Sequence, residues 1–292
     1  MKKASVIALT VAVAITAAAT GIGAGYALWG RSKDWYGQPD LSALAADPDG
    51  ELIRYGRQLL IDTARHIGRS AEDPDKRYAG NDLACSNCHL NAGLQPFAAP
   101  LVSTFASYPM MVNDRVVTLA ERINGCMTRS MNGAPLPETG REMQALIAYV
   151  QFVGRGTPVG VRVPGMGLRP LRQAETEPDP VRGRAVYAKL CATCHGPEGQ
   201  GHFRTLRPVD GYDVPPLWGP DSFNAAAGMS DIRTAAAFVH ANMPAPVDYR
   251  GPLLSEQQAW DVAAFLTSQV RPAMHARTSG SATQRSVTAE PR

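Results

Sequence analysis

Apolar positions along the chain fall into one uncharged leading run and a series of helical patterns set between long polar stretches. Ala4 to Trp29 carry no charged residue and follow Lys2 and Lys3. A positive start before an apolar run is an export signal. The run is longer than the ~7–15 residues of a usual signal core and long enough for the ~20 that span a bilayer. Residues 1–30 therefore read as a signal peptide or a membrane anchor, with Tyr26 and Trp29 where an aromatic belt would lie. Either way the remainder is expected outside the cytoplasm, in the periplasm. Further on, Glu51–Ile67 has a helical pattern. Thr118-x-x-Glu121 is a capping box that opens a helix, and Asn132-Gly133 ends it. Met143, Leu146, Ile147 and Val150 share one face of a helix over Glu138–Val153. Val181–Leu190 and Asp231–Ala241 follow, and Ser255-x-x-Gln258 caps a last helix over Glu256–Val270.

Strand signals are few, so the class is mostly α. The patterns sort into two similar halves, residues 45–155 and 179–272. Gly56 and Gly183 occupy comparable places in the first helix of each half, where a bare backbone admits a close neighbour. Residues 156–178 are rich in Gly and Pro and have no period, which marks a linker. Residues 273–292 are polar and aperiodic and read as a disordered tail. The 292 residues suffice for two domains, and the 45% apolar content suffices for two cores. A formal charge of +3 gives no reason to expect nucleic acid as a partner.

The chain has five cysteines, and four stand in two identical motifs. These are Cys85-Ser86-Asn87-Cys88-His89 and Cys191-Ala192-Thr193-Cys194-His195. C-x-x-C-H attaches haem c: the two thiols bond the macrocycle and the adjacent His ligates iron. A zinc site would need further ligands at metal-like spacing. A thiol redox pair would not explain a His after each motif. Two covalently bound haems c follow, and long loops become intelligible because they can pack against haem faces. The expected architecture is two cytochrome c-like haem domains joined by a long linker.

Each iron has a sixth position. In the second half the best candidate is Met243, which precedes Pro244, a residue that keeps its predecessor extended. Met229 and His240 are the alternatives. The fifth cysteine, Cys126, has no partner for a disulfide. It could simply fill space as a small apolar residue. Its neighbours suggest more, because Arg122, Cys126 and Arg129 are spaced to share a helix face, and Ser130 is four residues after Cys126. A thiol between guanidinium groups is poised to be a thiolate. Cys126 is the candidate sixth ligand of the first haem, with Met127 and Met131 as competitors. The arginines are either an ordinary solvated face or an anion pocket, since guanidinium forks match sulfonate and phosphate oxygens.

The segment Arg122-Ile123-Asn124-Gly125-Cys126-Met127-Thr128-Arg129-Ser130-Met131-Asn132-Gly133 resembles the signature of the thiosulfate dehydrogenases, and the resemblance extends over roughly Asp49 to Val270. It implies a di-haem oxidoreductase that couples two thiosulfates into tetrathionate, or runs the reverse. It implies His89 and Cys126 as ligands of the active-site haem, and His195 and Met243 as ligands of the electron-exit haem. Cys126, Arg122, Arg129 and Ser130 would form the catalytic pocket. Electrons would leave to an external acceptor such as a small cytochrome or another high-potential redox protein. One position departs from the family. Some members carry, beside the Met, a Lys that exchanges with it as ligand, and here that neighbour is Asn242. Two other classes compete. A non-catalytic di-haem electron carrier would leave the Arg122–Cys126 face idle, and a sulfur-oxidising cytochrome subunit would need a partner.

Overall fold

Acidic caps and prolines start the helices where local chemistry favours them. In the computed structural model, which describes residues 39–274, helix α1 spans Pro48–Ile61. Asp47 accepts the Gly50 N–H at 2.8 Å, and Pro48 occupies the first turn, where its missing donor costs nothing. A hairpin follows, β1 (Met110–Val112) and β2 (Arg115–Val117), pairing antiparallel. It leads directly into α2, Leu119–Arg129, whose capping box between Thr118 and Glu121 is formed as expected. Helix α3 is Arg141–Val153. In the second half α4 is Pro180–Leu190. A two-stranded ladder of β3 (His202–Phe203) and β4 (Tyr212–Val214) follows it. Then come α5, Ile232–Asn242, and α6, Glu256–Thr267, with its Ser255–Gln258 box in place.

Three expected helices are shorter than their patterns, the last ending at Thr267 and not at Val270. The first breaks at Asp62 and resumes only as a turn over Thr63–Ile67. The Thr63 hydroxyl donates back to the Leu59 carbonyl at 2.6 Å and accepts the Cys85 N–H at 3.0 Å. The break thus serves the first haem motif. Helix α3 starts three residues late because Gly140 closes a turn onto the Pro137 carbonyl at 2.9 Å.

In each half the first helix packs on the last: α1 on α3, and α4 on α6. Gly56 and Gly183 are the contact points. A Cβ on Gly56 would overlap the Ala145 carbonyl, and one on Gly183 the Asp261 carbonyl. The first core gathers Leu59, Met143, Leu146 and Tyr149, and the second Tyr187, Val239, Leu254 and Val262.

All described residues belong to one unit, because the halves are fastened to each other. The fully buried Asn81 side chain donates to the carbonyls of Ser130 at 3.1 Å and Ser222 at 3.3 Å. Asn224, also fully buried, donates to the Thr128 carbonyl at 2.9 Å and to Asn132 Oδ1 at 3.1 Å. Ion pairs surround these bonds: Arg204–Asp62 at 2.7 Å, Arg69–Asp221 at 2.8 Å, and Arg65–Asp210. The linker is ordered and pinned to both halves. Phe97 N–H donates to the Gly165 carbonyl at 2.7 Å, and Arg172 Nε donates to Glu256 at 3.0 Å. Among the described residues no helix is long and apolar enough to cross a membrane. The expected signal or anchor over residues 1–30, and the tail from residue 275, lie outside the described residues.

Candidate haem and substrate site

Both cysteine motifs open on one continuous cavity of about 880 Å³ that reaches through both halves. Cys85, Cys88 and His89 line it in the first half, and Cys191, Cys194 and His195 in the second. His89 Nδ1 lies 2.6 Å from the Ala99 carbonyl, and His195 Nδ1 lies 2.9 Å from the Pro215 carbonyl. A carbonyl can only accept, so each Nδ1 carries a proton, and Nε2 is the nitrogen left to meet iron. Leu83, Leu101, Leu146, Leu217 and Val262 supply apolar wall. Paired thiols, an oriented imidazole and an apolar slot fit a haem in each half.

On the far side of the first site stands Cys126, carried by α2. Arg122 Nη1 donates to its sulfur at 3.0 Å, and the His89 ring faces the same sulfur within hydrogen-bonding reach. Burial alone would push the Cys126 thiol up. The His89 hydrogen bond and the Arg122 charge outweigh it and bring the thiol down to about 7. The motif cysteines behave oppositely: burial pushes Cys85 and Cys191 up to about 11, and Cys88 up to about 12. Of the competing ligands, Met127 is buried in the core and does not line the cavity, while Met131, though in the core cluster, lines it. Ser130 lines the cavity too.

Arg129 departs from the shared face expected of it. Its Nε donates to the Gly125 carbonyl at 2.8 Å, and it is not among the residues lining the cavity. A helical wheel places Cα positions, but a long side chain one turn on can fold back onto its own backbone. Tyr108, which nothing in the periodic pattern singled out, does line the cavity, and its phenol meets the Arg122 guanidinium.

In the second half Met243 ends α5 in an extended conformation before Pro244, lines the cavity, and packs against the core of Tyr187, Val239, Leu254 and Val262. Met229 also lines the cavity, but it packs against the first-half core and against Ala235, Ala236 and Ala263 rather than against the core that Met243 joins. His240 is buried away from the cavity, and burial pulls its pKa down. Asn242 points elsewhere as well, donating to the carbonyls of Phe97 at 3.1 Å and Phe238 at 3.0 Å.

Fold and site together define a two-haem c-type cytochrome. The SoxA/TsdA cytochrome c domain family matches residues 75–159, and the cytochrome c family matches residues 180–269. The thiosulfate dehydrogenase of Stutzerimonas stutzeri is 39% identical over 245 residues, covering 83% of this chain and 75% of the relative. That of Thiomonas intermedia is 40% identical over 237 residues, covering 80% and 70%. The solved thiosulfate dehydrogenase TsdBA of Marichromatium purpuratum, in its as-isolated form, superposes with a TM-score of 0.72 at 37% identity. The match covers 83% of this chain and 50% of that one, so this chain spans half the length of the solved protein. The chain belongs to the thiosulfate dehydrogenase family, and is an oxidoreductase of sulfur compounds with two covalently bound haems c.

Proposed function

We propose that this chain works in the periplasm and joins two thiosulfates into tetrathionate, releasing two electrons. One observation carries the reading: a lone cysteine whose sulfur accepts from Arg122 at 3.0 Å and is faced by the imidazole of a haem-attachment motif. The names of the relatives support the substrate. The two haems supply two one-electron acceptors, matching the two electrons released.

His89 and Cys126 would hold the iron of the first haem, and His195 and Met243 that of the second. A thiolate from Cys126 places negative charge beside the first iron and lowers its potential, whereas the Met243 thioether raises that of the second. The gradient therefore runs toward the second half and out to a small cytochrome or another high-potential acceptor. Asn242 has no amine and so could not exchange with Met243 as a ligand. Arg122 answers the main obstacle, since two thiosulfates bring four negative charges together. A fixed guanidinium in a partly dry pocket is worth about 2–4 kcal/mol of that barrier. Ser130 adds a hydroxyl at the same wall. Cys126 sulfur could bond the terminal sulfur of one thiosulfate, its two electrons going to the two haems, and a second thiosulfate would then displace it as tetrathionate and restore the thiolate; tetrathionate reduction would run the same steps backwards. The leading segment directs export. If it is uncleaved it tethers the chain to the inner membrane, which N-terminal sequencing of the native protein decides.

The purified chain alone should reduce its haems with thiosulfate and form one tetrathionate per two electrons. Cys126→Ala should still carry two haems by mass, lose the thiolate spectrum, and lose thiosulfate oxidation far beyond any loss of folded protein. Near-normal turnover in that variant would return the chain to the electron-carrier class.

A further inference from the structure

The anion pocket expected from sequence has two guanidinium groups, but the structure brings only Arg122 to the Cys126 sulfur, and Arg129 turns to the Gly125 carbonyl. The second polar group at this wall is Tyr108. It follows the short helical turn Phe105–Ser107, just before the β1–β2 hairpin that leads into α2. Its side chain shares the cavity wall with Arg122, Cys126 and Ser130. Its phenol meets the Arg122 guanidinium, and burial pushes its pKa up, so it stays protonated in neutral solution.

Donor counting then decides what the phenol does. A guanidinium has five N–H donors and no acceptor, while a phenol has one donor and an accepting oxygen. No atom of a guanidinium can accept from the phenol, so the Tyr108 O–H on this wall is left to donate elsewhere. The Cys126 sulfur already accepts from Arg122 and is faced by His89. We propose that Tyr108 is a substrate-binding residue: from the cavity wall beside Arg122 and Cys126, its O–H donates to a sulfonate oxygen of thiosulfate. Oxygen is a far better hydrogen-bond acceptor than the terminal sulfur. Arg122 and Tyr108 together therefore grip the oxygen-bearing end and turn the terminal sulfur toward Cys126. The inference rests on the thiosulfate reading above and adds an orientation to it.

Tyr108→Phe keeps the ring and removes only the hydroxyl. Losing one hydrogen bond to a charged ligand is expected to raise KM for thiosulfate about ten-fold. Sulfate offers the oxygens without the terminal sulfur, so its inhibition constant should rise by a similar factor. Turnover at saturation and the thiolate spectrum of the first haem should stay close to those of the unaltered chain. Unchanged KM and sulfate inhibition would overturn the proposal. So would an altered first-haem spectrum or potential with KM unchanged, because Tyr108 would then be acting on Cys126 and not on substrate. Failure of the thiosulfate reading shows separately, as an unaltered chain that does not oxidise thiosulfate.

Discussion

Among the sheltered cysteines, Cys126 is set apart by its surroundings and not by its depth. Cys85, Cys88 and Cys191 lie among apolar side chains or beside other thiols, and burial pushes them up to about 11 or 12. Cys126 is also sheltered, yet a fixed guanidinium and an imidazole bring it to about 7. A protein thiolate needs such partners to persist out of water. At the second site the corresponding contrast is among Met243, Met229 and His240. Of the three, only Met243 both lines the cavity and packs against the core of Tyr187, Val239, Leu254 and Val262, where Cys191 also packs. Met243→Gly should therefore lower the potential of the second haem and slow electron exit, with the first haem little affected. A redox titration showing both potentials unchanged would transfer the ligand role to Met229.

At the scale of elements, each half is a pair of helices crossing at a glycine, and the haem motif hangs from the first of them. The crossings at Gly56 and Gly183 are tight enough that one methyl group meets backbone, which cannot rotate away as a side chain can. Gly183→Ala should destabilise the haem-loaded protein by about 1–3 kcal/mol, at about 2–4 °C in Tm per kcal/mol. Gly56→Ala should do the same in the first half. Calorimetry checks both, and an unshifted Tm would mean that α4 and α6 slide apart without cost. The buried Asp261 adds a second hold on this crossing, accepting from Arg182 at 2.8 Å and from the Asp179 N–H at 2.9 Å.

For the whole molecule, the fastening between halves matters because electrons must pass from one site to the other through a single cavity. The ion pairs at the seam are largely exposed, and each is worth about 0–1 kcal/mol. The amides of Asn81 and Asn224 are fully buried, and a carbonyl deprived of such a partner costs about 1–3 kcal/mol. Asn224→Ala also frees the end of α2, the helix that carries Cys126. That variant should unfold in two calorimetric steps where the unaltered chain unfolds in one, while high salt alone should leave the single step intact. A single transition at unchanged temperature would show that the ion pairs and the linker suffice.

The haem motifs were legible in the sequence because covalent attachment requires two thiols and an imidazole within five adjacent positions. Helix starts at Thr118 and Ser255 were legible because a capping box closes over three residues. The crossings at Gly56 and Gly183 were legible as a repeat, and the pairing of Arg122 with Cys126 follows from one helical turn. The rest depended on contacts between residues far apart in the chain. Asn224 reaches Thr128 across 96 positions, and Asn81 reaches Ser222 across 141, separations that leave no periodic trace. The turn of Arg129 toward Gly125 is a side-chain choice that spacing does not encode. Tyr108 enters the pocket only because the segment before the hairpin is laid against α2. Local chemistry along the chain determined which groups hold haem and which thiol is exceptional; tertiary packing alone decided which side chains share the cavity with that thiol, because a pocket is assembled from pieces that the sequence keeps apart.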